Sequence, residues 1–132
     1  MTYLLDTNAC IGILRDARSN VARRLRQESP GTVALCSVVK AELYYGAYKS
    51  QQSVQTLVKL WRFVRIFHSY AFDDAAAERY GQIRADLATQ GTPIGPNDLM
   101  IAAIALANNL ILVTHNTREF ARVAELPLED WT

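Results

Sequence analysis

The sequence is poor in cysteine and contains no long hydrophobic run. Two of its 132 residues are cysteines. Cys10 and Cys36 have neither paired spacing nor nearby histidines, so we interpret both as reduced, buried side chains rather than as a disulfide or a zinc site. The first apolar run stops after three residues at Asp6, and no stretch approaches the roughly 18 apolar residues of a membrane span. We therefore expect a cytoplasmic protein with no signal peptide and no membrane-spanning segment.

The chain also lacks a strong net charge of either sign. Fourteen Lys and Arg against thirteen Asp and Glu give a formal charge of +1, so the total charge favours no class of partner. Half of the residues are hydrophobic and a fifth are charged, which is typical of a folded globular protein. The sequence has no internal repeat and no low-complexity tract. Its length predicts a single domain over residues 1–132, with about two-thirds of the unfolded surface buried.

Short apolar runs alternate with helical patterns along the chain. Strands are predicted at residues 2–5, 32–36, 64–68 and 110–114, with a last apolar segment at 126–128. Helices are predicted at residues 8–15, 16–27, 38–48, 51–65, 74–89 and 99–109, with Ser37 as the N-cap of the third. Ser29, Pro30 and Gly31 predict a turn, and "QGTPIGPND" predicts a loop. This alternation indicates an α/β protein with a parallel sheet covered on both faces.

Several acidic and polar side chains stand next to predicted strand ends or helix starts. Asp6 ends the first strand, Glu42 lies about one and a half turns into the helix after the second strand, and Asp98 begins the helix after the Gly/Pro loop. Thr114 ends the "LILV" strand, and His115, Asn116 and Glu119 follow it. Sites in parallel sheets lie outside the carboxyl ends of the strands. We therefore expect the carboxylates of Asp6, Glu42 and Asp98 to converge there.

Converging carboxylates repel one another unless a cation compensates their charge. Hard oxygen ligands without a converging His or Cys suit Mg²⁺ or Mn²⁺ better than zinc. Such a site favours phosphoryl chemistry, in which a metal-activated water attacks in line.

Each of these side chains also has a simpler structural role that the sequence leaves open. Asp6 can cap the helix that follows it, and Glu42 can pair with a nearby lysine on a solvated helix face. For Glu42 the candidate lysines are Lys40 and Lys49. Asn97 or Asp98 can be the N-cap of the helix that follows, and Asn116 with Glu119 can form a capping box. His115 and His68 can be an ordinary loop residue and an ordinary strand-end residue.

Four motifs, taken in order, resemble those of PIN-domain nucleases. They are "LLDTN" near the start, "VVKAELYYG" after the second strand, "GPNDLMIAA" after the Gly/Pro loop, and "LVTHNTREF" near the end. Within that family the chain resembles the VapC-type toxins of toxin-antitoxin modules. The resemblance covers essentially all 132 residues, and four ordered motifs are more specific than any one of them.

The resemblance implies a three-layer α/β/α PIN-like domain with a short central parallel sheet. It also implies a Mg²⁺- or Mn²⁺-dependent endoribonuclease whose metal-binding acids match Asp6, Glu42 and Asp98. Some toxins of this group cut tRNA, so a specific tRNA is the expected substrate. The fourth acidic position of the family holds Asn116, which brings no charge but whose amide oxygen can hold a metal or a water, so Asn116 is expected to belong to the catalytic site and, with Glu119, to position water or a second ion. Glu119 is the nearest carboxylate that can replace the missing acid, and Thr114 is expected to hydrogen-bond the water around the metal.

The same resemblance implies partners. A VapB-like antitoxin is expected to cover the acidic pocket, the toxin is expected to form a homodimer, and DNA is expected to be bound only indirectly, through the antitoxin. Five aromatic side chains fit either an antitoxin groove or the core: Tyr44, Tyr45, Tyr48, Trp61 and Phe63. Basic residues along the early and middle helices would supply a rim for RNA, although each is also explained as a solvated helix residue.

Two other functions are compatible with the residues. The first is a non-catalytic PIN-like binding module whose acidic pocket engages a protein partner, and Asn116 in place of an acid favours it. The second is a phospho-accepting receiver-like domain with an aspartate at a strand end. That domain expects a pair of acids after its first strand and a lysine after its last, and this sequence has neither.

Overall fold

A parallel sheet runs through the centre of the computed structural model, which describes residues 1–29 and 31–132. The strand order is β3-β2-β1-β4-β5, and neighbouring strands pair in parallel. The strands are β1 (Tyr3–Leu5), β2 (Val33–Cys36), β3 (His68–Tyr70), β4 (Ile111–Val113) and β5 (Leu128–Glu129). The predicted α/β architecture with a short parallel sheet is therefore confirmed.

Helices connect the strands and cover the sheet. They are α1 (Thr7–Arg15), α2 (Asn20–Gln27), α3 (Ser37–Lys49), α4 (Ser53–Val64), α5 (Asp74–Gln90), α6 (Pro96–Ala107) and α7 (Thr117–Phe120). Within the described residues, no helix is long and apolar enough to cross a membrane.

The core lies where β1 and β2 meet the helices. Every residue of both strands is buried, as expected when helices cover both faces of a parallel sheet. Helix α6 has buried residues around most of its circumference, including Ile101 and Ile104, and packs against α5. Because β1 and β2 are fully buried, the residues that directly follow their carboxyl ends have a fixed position.

Strand register brings the carboxyl ends of β1 and β4 side by side. Leu5 pairs with Val113, and the Asp6 backbone N–H donates to the Val113 carbonyl oxygen at 3.1 Å. Asp6 and Thr114 are the next residues of the two strands, so the topology makes them neighbours although 108 positions separate them in the sequence.

Several predicted boundaries are wrong. The predicted "QGTPIGPND" loop ends at Gly95, because α6 begins at Pro96 instead of at residue 99. The strand predicted at 64–68 begins only at His68, because α4 continues to Val64 and buries that side chain as part of a helix. The helix predicted at 16–27 begins at Asn20, where the Ser19 hydroxyl accepts a hydrogen bond from the Ala22 N–H. Ser37 is the first residue of α3 rather than its N-cap, which is Cys36. The predicted turn that includes Pro30 lies outside the described residues.

The two cysteines are free and buried, which confirms the prediction. Burial is the main cause that raises the pKa of both the Cys10 and the Cys36 thiol. Both side chains therefore act as small apolar groups of the core.

The predicted aromatic group divides between core and surface. Phe63 is buried and Tyr44 is partly buried against the core. Tyr45, Tyr48 and Trp61 keep 67%, 66% and 49% of their surface exposed. Three large aromatic rings on the α3 and α4 surface exceed what the core requires.

Candidate active site

Asp6 has the N-cap role, the simpler of the two that the sequence left open. It precedes α1 as its N-cap, and its Oδ1 accepts the Ala9 N–H at 2.8 Å. The residue is only 6% exposed. Burial raises the pKa of the carboxyl group, hydrogen bonds from Thr114 and Ala9 oppose this, and the charges of Glu42 and Asp130 add to it. Asp6 is thus a rigidly held, partly desolvated carboxylate at the sheet edge.

Glu42 reaches toward the same edge from α3. Its Oε1 accepts a hydrogen bond from the Thr7 hydroxyl at 2.8 Å, across 35 positions of sequence. The proposed lysine partners do not hold it: in the parts of the chain that are described, Glu42 forms no ion pair with Lys40 or Lys49. Sequence reasoning missed Thr7, although it stands inside the quoted motif "LLDTN" next to Asp6.

Asp98 lies in the first turn of α6, after Pro96 and Asn97. Gly95 is the N-cap, so the capping role considered for Asn97 or Asp98 is wrong. Burial, followed by the charges of Glu119, Glu42 and Asp6 in that order, raises the pKa of Asp98 from 3.8 to about 6. The carboxylates therefore act on one another through space, as expected for groups that face one site.

The "THNTREF" segment forms a tight turn into α7. The Thr114 Oγ1, itself buried, accepts the Asn116 backbone N–H at 2.9 Å. The Asn116 Nδ2 donates to Glu119 Oε2 at 2.8 Å. The capping-box interpretation is wrong, because no side chain caps α7 and the two side chains bond to each other.

His115 extends from this turn toward the C-terminal segment. Its Nδ1 lies 3.0 Å from Asp130 Oδ2 and 3.1 Å from Thr132 Oγ1. Hydrogen bonds from the Thr132 hydroxyl and N–H lower the pKa of Asp130, and His115 adds to this effect. Asp130 also acts on Asp6, and no motif in the sequence pointed to it.

The donor set fits a divalent cation by its chemistry. Asp6, Glu42, Asp98 and Glu119 offer carboxylate oxygens, the ligands that Mg²⁺ and Mn²⁺ prefer. In residues 1–29 and 31–132, however, no three His, Cys, Asp or Glu side chains are grouped closely enough to hold an ion. Mutual repulsion favours such separation, so the carboxylates would have to move toward one another to share one ion.

Comparison with known proteins agrees with this geometry. The PIN domain family model matches residues 3–126. A relative from Shigella flexneri, named tRNA(fMet)-specific endonuclease VapC, is 44% identical over 132 residues, covering 100% of this chain and 99% of the relative.

Two solved structures have the same fold. A crystal structure of DNA-bound VapBC from Salmonella typhimurium contains a chain 36% identical to this one, with a TM-score of 0.94 and coverage of 100% and 99% of the two chains. VapBC2 from Rickettsia felis, bound to a promoter DNA fragment, gives 37% identity, a TM-score of 0.94 and full coverage of both chains. PIN nucleases generally depend on a divalent metal ion. The chain belongs to the PIN-domain family, in its VapC branch.

Proposed function

We propose that the protein is the toxin of a toxin-antitoxin module and a metal-dependent endoribonuclease that hydrolyses phosphodiester bonds in RNA. The observation that carries this proposal is the match to the PIN domain over residues 3–126 and the 44% identity to an endonuclease over 132 residues. The effect of Glu119, Glu42 and Asp6 on the pKa of Asp98 supports it. Carboxylates that act on one another at the carboxyl edge of a parallel sheet are costly to a fold unless a cation compensates their charge.

Asp6, Glu42 and Asp98 hold Mg²⁺ in this proposal, and Mn²⁺ is expected to replace it. Such an ion would lower the pKa of a bound water and neutralise charge on the phosphate under attack. Asp6 keeps a fixed orientation because the Ala9 N–H holds one of its oxygens. The Thr7 hydroxyl donates to one carboxylate oxygen of Glu42. This contact orients the carboxylate group and so fixes the direction of its second oxygen.

Glu119 takes the role of the fourth acid, and Asn116 positions it. Among the neighbouring charges, Glu119 has the largest effect on the pKa of Asp98, whereas the uncharged amide of Asn116 donates to Glu119. The Thr114 Oγ1 stabilises this turn by accepting the Asn116 backbone N–H. The two side chains together would orient a water molecule or a second ion.

RNA cleavage assays with matched carboxylate variants test the nuclease. Asp6→Asn and Asp98→Asn should each reduce cleavage in Mg²⁺ at least about 100-fold, because each loses a charged ligand. Asp86→Asn, an exposed change on α5, is the control and should cleave like the parent. A folded parent protein that cleaves no RNA in Mg²⁺ or Mn²⁺ would instead support the non-catalytic binding module.

The proposed substrate is a tRNA, because the Shigella flexneri relative named for tRNA(fMet) cleavage is 44% identical to this chain. Sequencing of RNA ends after induction of the protein in cells tests this. New ends confined to one tRNA are expected. Ends spread over many unrelated RNAs would contradict a specific tRNA substrate while leaving the nuclease intact.

The proposed protein partner is a VapB-like antitoxin that covers a groove beside Glu42. The groove has a volume of about 370 Å³ between α1, α3 and α4, and its lining includes Ile11, Leu14 and Leu60 together with Glu42. An occupant of this groove would contact a metal-binding acid directly and would exclude RNA. The promoter DNA in the Rickettsia felis complex motivates DNA binding through the partner. The toxin itself is proposed to form a homodimer, as the family resemblance implies.

Co-expression with a VapB-like antitoxin tests the partner. A stable complex with no RNA cleavage is expected, and light scattering of the toxin alone measures the homodimer. Cleavage by the purified complex at the rate of the free toxin would contradict occlusion of the site.

A further inference from the structure

A pocket of about 260 Å³ lies beside the proposed metal site, between α1, the start of α2 and the ends of β4 and β5. Its lining includes Ala9, Gly12, Val21 and Trp131 as well as polar side chains at the rim. Drug-sized ligands occupy roughly 300–1,000 Å³. The volume therefore suits a smaller group, on the scale of one nucleotide.

Two residues of the pocket lining are neighbours of Asp6. Ala9 and Thr114 both line the pocket. The Ala9 N–H donates to Asp6 Oδ1 at 2.8 Å, and Thr114 follows β4, the strand that pairs with β1 up to Leu5. Only one residue, Ala9 or Thr114, would therefore separate a ligand in the pocket from Asp6, a proposed metal ligand. This adjacency is what a strand of substrate requires if one nucleotide is held while the neighbouring phosphate is attacked.

The chemistry of the lining matches an unpaired base. The lining includes the apolar side chains of Val21, Val113 and Trp131, which are at most 5% exposed and would meet a base with their edges. The amide side chains of Asn8 and Asn20 lie at the exposed rim and can hydrogen-bond the edge of a base. His115 completes the rim, and its contact with Asp130 fixes the ring.

The charged side chain inside the pocket is Asp130, whose carboxylate is held by His115 and Thr132, and positive charge lies beside the rim. Arg18 is exposed and adjacent to Ser19, a lining residue. Arg23 is exposed on α2, three positions after Asn20 and so on the neighbouring helix surface. Arginines in these positions can contact the phosphates of a strand whose base enters the pocket.

We propose that this pocket, which we call the base pocket (Asn8, Gly12, Asn20, Val21, His115 and Trp131), binds one unpaired base of the RNA next to the cleaved bond. The inference rests on the proposed ribonuclease function and adds a nucleotide-binding site to it. It assigns α1, α2 and the C-terminal segment a direct role in substrate choice.

A filled-pocket variant tests the proposal. Gly12 lines the base pocket, and a Cβ there would meet Val21 Cγ1 at 3.8 Å, an ordinary contact, so Gly12→Leu should fill the pocket from its wall. Gly81→Leu on α5 is the matched control, since Gly81 is exposed and has no atom within 4 Å of its Cβ position. Asn20→Ala, at the exposed rim, is the second variant if Gly12→Leu does not fold.

Binding is measured by fluorescence anisotropy with labelled RNA tetranucleotides in EDTA, so that it is separated from cleavage. Gly12→Leu should weaken binding about five- to hundredfold, the usual effect of losing one base contact, and Gly81→Leu should not. Tetranucleotides with one abasic residue should bind the parent more weakly at one position, and Gly12→Leu should abolish that difference.

The outcomes separate this inference from the proposed function. Equal binding by the parent and folded Gly12→Leu and Asn20→Ala proteins would overturn the base pocket, even if the parent cleaves RNA in Mg²⁺. Weakened binding in Gly12→Leu would support the pocket even if the parent cleaves nothing. A free nucleoside monophosphate that binds as tightly as the tetranucleotide would overturn the assignment to an RNA strand.

Discussion

Replacement of Asp98 by asparagine should stabilise the metal-free protein at neutral pH. The side chains are nearly isosteric, so the change removes a charge with little effect on packing. Burial and the charges of Glu119, Glu42 and Asp6 raise the pKa of the parent carboxyl from 3.8 to about 6. Ionised Asp98 is therefore less favourable in the folded protein than in the unfolded chain, where these neighbours are absent.

The sign of the pH dependence follows from the raised pKa. The contribution of Asp98 to stability is fully present below pH 3.8, the ordinary value, and is lost as the pH rises through about 6. A pKa displacement of this size corresponds to at most about 3 kcal/mol. Because the carboxyl is only half-buried, solvent screening reduces the expected loss to about 1 kcal/mol.

Urea unfolding in EDTA at pH 4.5 and pH 7.5 measures this effect. The parent should lose about 1 kcal/mol more than Asp98→Asn between the two pH values, and the exposed Asp86→Asn control should follow the parent. An identical pH dependence for parent and Asp98→Asn would refute the argument that burial and the neighbouring carboxylates disfavour ionised Asp98.

Addition of Mg²⁺ at pH 7.5 should reverse the order of stability. An ion that binds only the folded state contributes about 2.7 kcal/mol at 100 times its dissociation constant. The parent should gain this stability, and Asp98→Asn should gain little because a proposed ligand has lost its charge. Equal gains in the two proteins would exclude Asp98 from the metal site.

Three further predictions concern a hydrogen bond, a glycine with positive φ and the two buried cysteines. Thr7→Val should lower RNA cleavage about tenfold while Thr7→Ser retains it, since only serine keeps the donor to Glu42 at 2.8 Å; equal rates for the two variants would contradict the orienting role. Gly91→Ala should reduce the free energy of unfolding by about 1 kcal/mol, because Gly91 ends α5 with φ of +71°; urea unfolding measures this, and an unchanged midpoint would refute it. Cys10 and Cys36 should react with a thiol reagent only after unfolding, because both are buried with a raised thiol pKa; rapid modification of the native protein would contradict that packing.

Local sequence signals predicted the α/β class and most elements. The apolar segments at β1, β2 and β4 and the stripe of α5 depend on neighbours within a few positions, which a sequence displays directly. Boundaries were less well predicted. The strand placed at 64–68 failed because an apolar run between a helix and a strand fits either element, and packing of Phe63 and Val64 in α4 decided the outcome.

The sequence by itself determined which carboxylates stand at strand ends and helix starts, because residue type and element position are local properties. Only the tertiary structure decided how those groups act on one another. Thr7 reaches Glu42 across 35 positions, and Glu119 rather than Asn116 brings charge toward Asp98. Electrostatic interactions and hydrogen bonds depend on distance in space, and the strand order β2-β1-β4 sets that distance at the carboxyl edge of the sheet.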